Sequence, residues 1–418
     1  MPSQKPSGPL RLRDKWLEFV GEGSANTVWA VHFTESSGGD AATRKLRDDC
    51  NGFLLRIQKH QTGLDGSDSS FSAHDQLSYL SSTILPLFSP DPSLIVTHRP
   101  IHLDQSLIDE ANAVLAELDE KRAAHDDGNS HQPHSHLPLR GRKFTGSRVG
   151  PAGTHMLTED FRPRNPRERF AEIKPKWLAQ SPTAPRDARV CRNCAVAAKR
   201  FADAPEGKKP AKSDPEKYGC PLHLVSSPPA PGGEDPAEKD AAPGDWKTLA
   251  ERIFRLSTFG QDAQDPRHAH FLFWVARQHE LLRYLRALQA RFAHGGTFLT
   301  TTEDNPDEDL LLAMTLRDCS LFFRYEVLED DAEVNGQVKE KPMRFRLLDF
   351  KLADLDKKSP SKIPSWQETE RGLIDGGWYD GKKDMPHCRL KRGPLDEGDG
   401  VDTSRLKDHQ GLGAVYEE

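Results

Sequence analysis

The feature that most constrains the fold is a change of hydrophobic period along the 418-residue chain. "LEFVGEGSANTVWAVHF", Leu17 to Phe33, places apolar residues on both sides of a glycine turn, and "GFLLRIQK", Gly52 to Lys59, reads as a further strand. "DQSLIDEANAVLAELDEKRAA" then switches to helical period, with Asp104 as N-cap and Leu107, Ala111, Val114, Leu115 and Leu118 on one face. Later, Asp265-Pro266 opens a long helix through "FLFWVARQHELLRYLRALQARF" that should stop at Gly295-Gly296. "LLLAMTL" and "SLFFRY" read as strands flanking "RDC", "FRLLDFKLADLDKK" as a strand ending in carboxylates, and "SWQETERGLI" as a final helix. Strands, one helix, loops and then mixed elements, with no internal repeat, predict a two-lobed α+β enzyme.

Only 35% of residues are hydrophobic and the mean hydropathy is −0.71, so much of the chain must be loop. "HDDGNSHQPHSHLPLR" is polar and reads as a mobile loop at about 124–138, its His131, His134 and His136 being a weak metal pattern. A second soft stretch, 203–245, is rich in Pro, Ala, Gly, Lys and Glu and is interrupted by "YGCPLHLVS". The expected division is an N-terminal lobe over 1–155 and an enlarged, loop-rich C-terminal lobe over 156–418.

The net charge of −6 hides a basic segment: Leu139 to Lys176 holds ten Lys/Arg against four Asp/Glu. That suits a focused anion site better than a nucleic-acid surface. No run is long and apolar enough for a bilayer, and the first ten residues lack a signal-peptide core, so the expectation is a soluble, intracellular monomer without membrane or nucleic-acid partners.

Several stretches carry chemistry. In "AEIKPKW", Ala171 to Trp177, Pro175 forbids a helical turn, so Lys174 and Lys176 should lie extended with both ammoniums on one side, ready for a ligand with more than one phosphate. A solvated edge strand is the plainer alternative. "GEGSANTV", Gly21 to Val28, has the outline of a glycine-rich phosphate loop with Asn26 at the third glycine position, and "LLRIQK" could bring Arg56 or Lys59 over the same phosphates. Asp318 in "TLRDCSL" and the pair Asp354 and Asp356 in "LADLDKK" are expected at strand ends, as a base for a hydroxyl and as magnesium ligands; turn-forming aspartates are the alternative. Protein-kinase H-R-D and D-F-G signatures are missing. Finally, Cys191, Cys194, Cys220 and His223 form C-x2-C and C-x2-H knuckles that could close a structural zinc site.

Taken in order, these stretches resemble the inositol-pentakisphosphate 2-kinase family, whose E-x-K-P-K motif is matched by Glu172 to Lys176. The "LRI" strand at Leu55 to Ile57, the "TLRDCS" loop and Asp354 to Lys358 are similar to further family segments, and "SWQETERGLIDGGWY" to the tail of fungal members. The resemblance implies a protein-kinase-like fold that uses ATP and Mg2+ to phosphorylate the 2-hydroxyl of inositol 1,3,4,5,6-pentakisphosphate, in the nucleus or cytoplasm. It makes Asp318 the base and Asp354 with Asp356 the magnesium ligands. Gly21, Gly23, Ala25, Asn26, Arg56, Glu159 and Asp160 would meet the nucleotide; Lys174, Lys176, Arg200, Lys358 and Lys362 would meet substrate phosphates. A His and a Tyr of plant members are replaced near Val196 and near Ser365 and Trp366, and Arg140 and Arg142 could compensate. The rival is an inactive inositol polyphosphate-binding protein of the same fold; the retained aspartates argue against it, since a pure binder gains nothing from carboxylates beside a polyanion. A zinc-dependent nucleic-acid module would rest on the cysteine knuckles alone, without interleaved aromatic and basic residues.

Overall fold

The computed structural model describes residues 15–33, 41–60, 71–126, 140–225, 245–254, 265–292, 295–328, 343–392, 406, 413 and 415–417. The histidines at 131, 134 and 136 lie outside them. The chain divides into two compact units, residues 1–81 with 96–160, and residues 82–95 with 161–418.

In the first unit, β1 (Lys15–Glu22) and β2 (Asn26–Phe33) form the expected hairpin; α1 (Ala41–Cys50) leads into β3 (Phe53–His60), followed by α2 (Ala73–Tyr79). The chain then lends 82–95, including the short α3 (Leu85–Leu87), to the second unit. It returns through β4 (His98–Leu103), α4 (Gln105–Asp126), β5 (Arg148–Val149) and β6 (Gly153–Glu159). The strands are antiparallel in the order β1-β2-β3-β6-β4, with β5 also paired to β3. Asp104 caps α4 by accepting from Leu107 N at 3.0 Å. Leu107, Ala111, Leu115 and Leu118 of that helix pack with Leu17, Phe19, Trp29, Leu55, Ile57 and Leu157 of the sheet.

The second unit is built on an antiparallel sheet in the order β10-β9-β8-β7, formed by β7 (Glu168–Ile173), β8 (Ser320–Leu328), β9 (Arg344–Ala353) and β10 (Val415–Glu417). Its helices are α5 (Arg192–Asp203), α6 (Asp245–Phe254), α7 (Pro266–Gln278), α8 (Glu280–Arg291), α9 (Gly295–Phe298), α10 (Glu308–Asp318) and α11 (Ile363–Asp375). Phe271 on α7 packs against Tyr325 and Phe345 of the sheet.

Two expectations are corrected here. "LLLAMTL" is helix α10, capped by Asp307, whose carboxylate accepts from Asp309 N and Leu310 N. An apolar run buried all round has no period to separate helix from strand. Asp318 therefore ends a helix rather than a strand. The long helix after Asp265 is also broken. His279 is extended at φ −88° and ψ 134°, its ring accepts from Leu281 N, and it caps α8. Arg291 ends α8, and Gly295 begins the separate turn α9.

Of the soft stretch 203–245, residues up to 225 and Asp245 are described: short 3-10 turns form at Ala211–Ser213 and Pro221–Val225, with Cys220 to Val225 buried.

Candidate functional site

The KPK segment leaves the edge strand β7 and does not stay extended. Lys176 has φ +57°, a left-handed conformation that is uncommon outside glycine. The expectation of two parallel ammoniums on a straight strand is thus replaced by a turn, because Pro175 restricts Lys174 and itself but leaves Lys176 free to reverse. Both lysines nevertheless converge on the same acidic cluster. Lys174 Nζ lies 3.0 Å from Asp354 Oδ2 and 3.4 Å from the Asp318 carbonyl, while Lys176 Nζ lies 2.8 Å from Asp318 Oδ1. Lys358 Nζ takes the other carboxylate oxygen, Asp318 Oδ2, at 2.9 Å.

Three chain segments thus meet: the turn after β7, the junction of α10 with β8, and the turn after β9. Asp354 follows the last residue of β9 and is itself left-handed at φ +56°, which aspartate tolerates better than most residues. Burial alone would raise the Asp318 pKa, but Lys358 and Lys176 hold its carboxyl well below the usual range. Burial works against the Lys174 ammonium as well, yet Asp354 outweighs it and leaves that pKa raised. The pairs are open to solvent: side-chain exposure is 38% for Lys174, 45% for Lys176 and 48% for Asp318.

A second layer was not visible in the sequence reading. The Ser320 hydroxyl lies 2.6 Å from Glu172 Oε1 and 2.9 Å from Asp354 Oδ2. The single hydroxyl proton of Ser320 has a carboxylate oxygen on either side, so this side chain bridges the two acidic groups. Burial raises the Glu172 pKa, the Ser320 bond opposes that, and the Asp354 charge adds to it. The glutamate of the E-x-K-P-K motif thus braces Asp354 through Ser320. Asp356 is half-buried two residues on, its carbonyl accepting from Thr315 Oγ1 at 3.0 Å. Lys362 is exposed at the N-cap of α11, and Arg200 is exposed near the end of α5.

The remaining sequence-derived residues belong to the first unit. Gly23 N donates to Asn26 O at 2.8 Å to close the hairpin, and Ala25 O accepts from Lys59 N at 2.9 Å. Neither Gly21 nor Gly23 has a positive φ, and a Cβ added to either would meet nothing within 4 Å. The hairpin itself does not demand glycine, whereas a phosphate approaching the backbone would. Arg56 on β3 is buried, and with the Asn26 amide turned to satisfy both groups its Nη2 donates to the Asn26 oxygen at 2.8 Å. Glu159 ends β6 and accepts from Thr97 N at 3.1 Å; Asp160 N donates to Gly52 O at 2.9 Å. Lys59 pairs with Glu22 at 2.7 Å, and the wholly buried Arg140 bonds Glu22, Asp119 and Ser147. That arrangement takes Arg140 out of consideration as a substitute phosphate contact.

The cysteine knuckles do come together, with one change of partner. The Sγ atoms of Cys191, Cys194, Cys220 and Cys388 all lie within 4.8 Å of one another and are buried. His223 is not the fourth member, because its Nε2 lies 3.1 Å from the carbonyl of His387. The next residue, Cys388, takes the place instead, its Sγ accepting from Cys191 N at 3.3 Å. Hydrogen bonds from Cys191, Cys194 and Cys220 pull the Cys388 pKa down, while burial pushes Cys191 and Cys194 up. Four convergent sulfurs are the donor set of a closed tetrahedral site for a soft or borderline metal.

Chemically, the cluster around Asp318 offers a carboxylate for a hydroxyl proton, oxygen donors for a hard divalent cation and exposed ammoniums for a polyanion. Residues 19–231 and 238–372 match the family model described as inositol-pentakisphosphate 2-kinase. The inositol-pentakisphosphate 2-kinase of Yarrowia lipolytica (strain CLIB 122 / E 150) is 30% identical over 223 residues, 53% of this chain. That match spans 56% of the relative, a little over half of its length.

Proposed function

This chain belongs to the inositol-pentakisphosphate 2-kinase family, and from that premise we propose that it transfers the γ-phosphoryl group of ATP to the 2-hydroxyl of inositol 1,3,4,5,6-pentakisphosphate, yielding inositol hexakisphosphate. The observation that carries the reading is Asp318 held between Lys176 and Lys358, with Lys174 on Asp354 alongside. A substrate bearing five phosphates needs several fixed cations for charge-assisted bonds and orientation. Lys174, Lys176 and Lys358, with Lys362 and Arg200, supply them.

Each lysine exchanges its carboxylate partner for a substrate phosphate. A carboxylate flanked by two ammoniums is a poor base; once phosphates draw those ammoniums away, Asp318 regains the basicity to accept the 2-hydroxyl proton. Asp354 and Asp356 would hold Mg2+, whose oxygen-donor preference they fit and which would neutralise charge on the transferred phosphoryl group. Release of Lys174 from Asp354 frees the oxygen for that role, and Ser320 keeps the carboxylate aimed. In the first unit the glycine hairpin with Ala25, Asn26 and Arg56 is read as the phosphate side of the ATP site, and Glu159 and Asp160 as the adenine side. The units correspond on this reading to the two lobes of a kinase-like fold.

The cysteine cluster is proposed to hold one structural Zn2+ through Cys191, Cys194, Cys220 and Cys388, joining α5 to two distant turns. Metal analysis of the purified chain should give one zinc per molecule, retained in His223→Ala and lost in Cys388→Ala; retention in both variants would contradict the ligand set.

Incubation with ATP, Mg2+ and the pentakisphosphate, followed by chromatography, tests the activity. Appearance of hexakisphosphate is expected. Tight binding without product would replace the kinase by an inositol polyphosphate binder.

A further inference from the structure

Gln289 sits on α8 and is fully buried, yet none of its side-chain bonds serves that helix. Its Oε1 accepts from Leu178 N at 2.7 Å, and its Nε2 donates to the carbonyls of Lys176 at 2.9 Å and Leu316 at 3.0 Å. One amide therefore ties together the backbone of the KPK turn and the last turn of α10. The tied residues stand next to the chemistry: Lys176 carries an ammonium bonded to Asp318, and Leu316 is two residues before Asp318. Gln289 also brackets the one residue of the KPK turn with positive φ, taking the carbonyl of Lys176 and the N–H two residues later.

A second tie runs parallel to the first. The Arg317 guanidinium lies 3.7 Å from the centre of the Trp177 ring, and Arg192 lies 4.0 Å from the same ring. Arg317 and Trp177 are the immediate neighbours of Asp318 and Lys176. Arg192 is anchored in turn: its Nε donates to Glu370 Oε2 at 2.8 Å, and Glu370 Oε1 accepts from the hydroxyls of Ser181, Thr183 and Tyr379. Burial and the nearby Arg192 push the Arg317 pKa down to about 9, so it remains a cation at neutral pH.

We propose that Gln289 is a positioning residue which, with the Trp177–Arg317 stack, sets the spacing between the Lys176 ammonium and the Asp318 carboxylate. It touches neither substrate nor reacting atoms. The argument is geometric: a displacement of about 1 Å between a bound group and its catalytic partner can cost on the order of a hundredfold in rate, and the two segments bearing these groups are far apart in sequence.

The inference rests on the kinase reading, and its test separates the two. Gln289→Met keeps the volume and removes all three bonds; Gln289→Glu keeps the acceptor for Leu178 N but sets a carboxylate against two carbonyls. Leu285→Ala, a fully buried position one turn earlier on α8, supplies a control destabilised to a matching Tm. In both Gln289 variants, amide hydrogen exchange over 174–180 and 314–320 should accelerate relative to the control. The kcat per folded molecule should fall about tenfold or more, with the Kd for inositol hexakisphosphate changed about threefold or less. Unchanged exchange in those segments, or a kcat no lower than that of Leu285→Ala, overturns the proposal. Should the unaltered chain form no hexakisphosphate, the kinase reading falls, and the exchange comparison alone decides whether Gln289 holds the two segments.

Discussion

Two clusters in this molecule are both assembled from carboxylates and cations and differ in depth. In the first unit, Glu22, Lys59, Asp119 and Arg140 close on one another, with side-chain exposures of 5%, 4%, 13% and 0%. Arg140 reaches both oxygens of Glu22, one of Asp119 and both oxygens offered by Ser147, and Lys59 lies over the Phe144 ring. In the second unit, Lys174, Lys176 and Lys358 meet Asp354 and Asp318 at comparable distances, but most of these groups are more than a third exposed. Removing a partner from the buried cluster strands a charge that water cannot reach. In the open cluster, a phosphate can take over an ammonium from a carboxylate without leaving either bare. Depth separates a structural knot from a set of cations that can be handed to a ligand.

The comparison can be broken at several points. The largest effect is expected from Asp318→Asn, which should lower kcat by roughly 10²- to 10⁴-fold, the range for a lost general base; a tenfold loss or less would remove Asp318 from that role. Arg140→Met should cost about 3–5 kcal/mol in chemical unfolding, because two buried carboxylates lose their shared cation, leaving Glu22 with Lys59 alone and Asp119 with the partly exposed Arg148. Its affinity for polyanion, measured on folded protein, should not move. Lys174→Ala and Lys176→Ala should show the reverse: unfolding free energy changed by about 1 kcal/mol or less, as for solvent-exposed pairs, with affinity for inositol hexakisphosphate weakened about tenfold each.

The smallest effect sharpens the same contrast through pH. His155, buried on β6, lies 3.0 Å from Pro151 O and 3.4 Å from Gln58 N. Burial lowers its pKa from 6.5, Pro151 opposes that, and His102 adds to it. A depressed pKa means a contribution to stability that is complete above 6.5 and lost as pH falls through the lowered value. The stability difference between the unaltered chain and His155→Gln should therefore be constant above pH 6.5 and shrink below it. A difference that grows on acidification would reverse the sign.

How much of this was legible in the sequence follows from the range of each signal. The β1–β2 hairpin, β3, and α4 with its Asp104 cap depend on neighbours in sequence and were read correctly. The chemistry-bearing motifs were legible for the same reason, as local strings around Lys174, Asp318 and Asp354. Helix α10 reads as a strand because "LLLAMTL" is buried at every position and apolar at all but Thr315, so it carries no period. The break at His279 and the left-handed turn at Lys176 involve residue types that give no turn signal. Ser320 with Glu172, Gln289 with Lys176 and Leu316, and Cys388 with the knuckles act through bonds between distant segments. Cys388 in particular has no second cysteine nearby to mark it, so the adjacent knuckle histidine stood in its place.

The central claim, that the open cluster is an ion-pair network handed over to a polyanion, is tested most directly by calorimetric titration of inositol hexakisphosphate into the unaltered chain and into Asp318→Asn. Because Lys176 and Lys358 would no longer be held by a carboxylate, the variant should bind more tightly than the unaltered chain while failing to turn over. Binding weakened in Asp318→Asn to the extent seen in Lys176→Ala would contradict it.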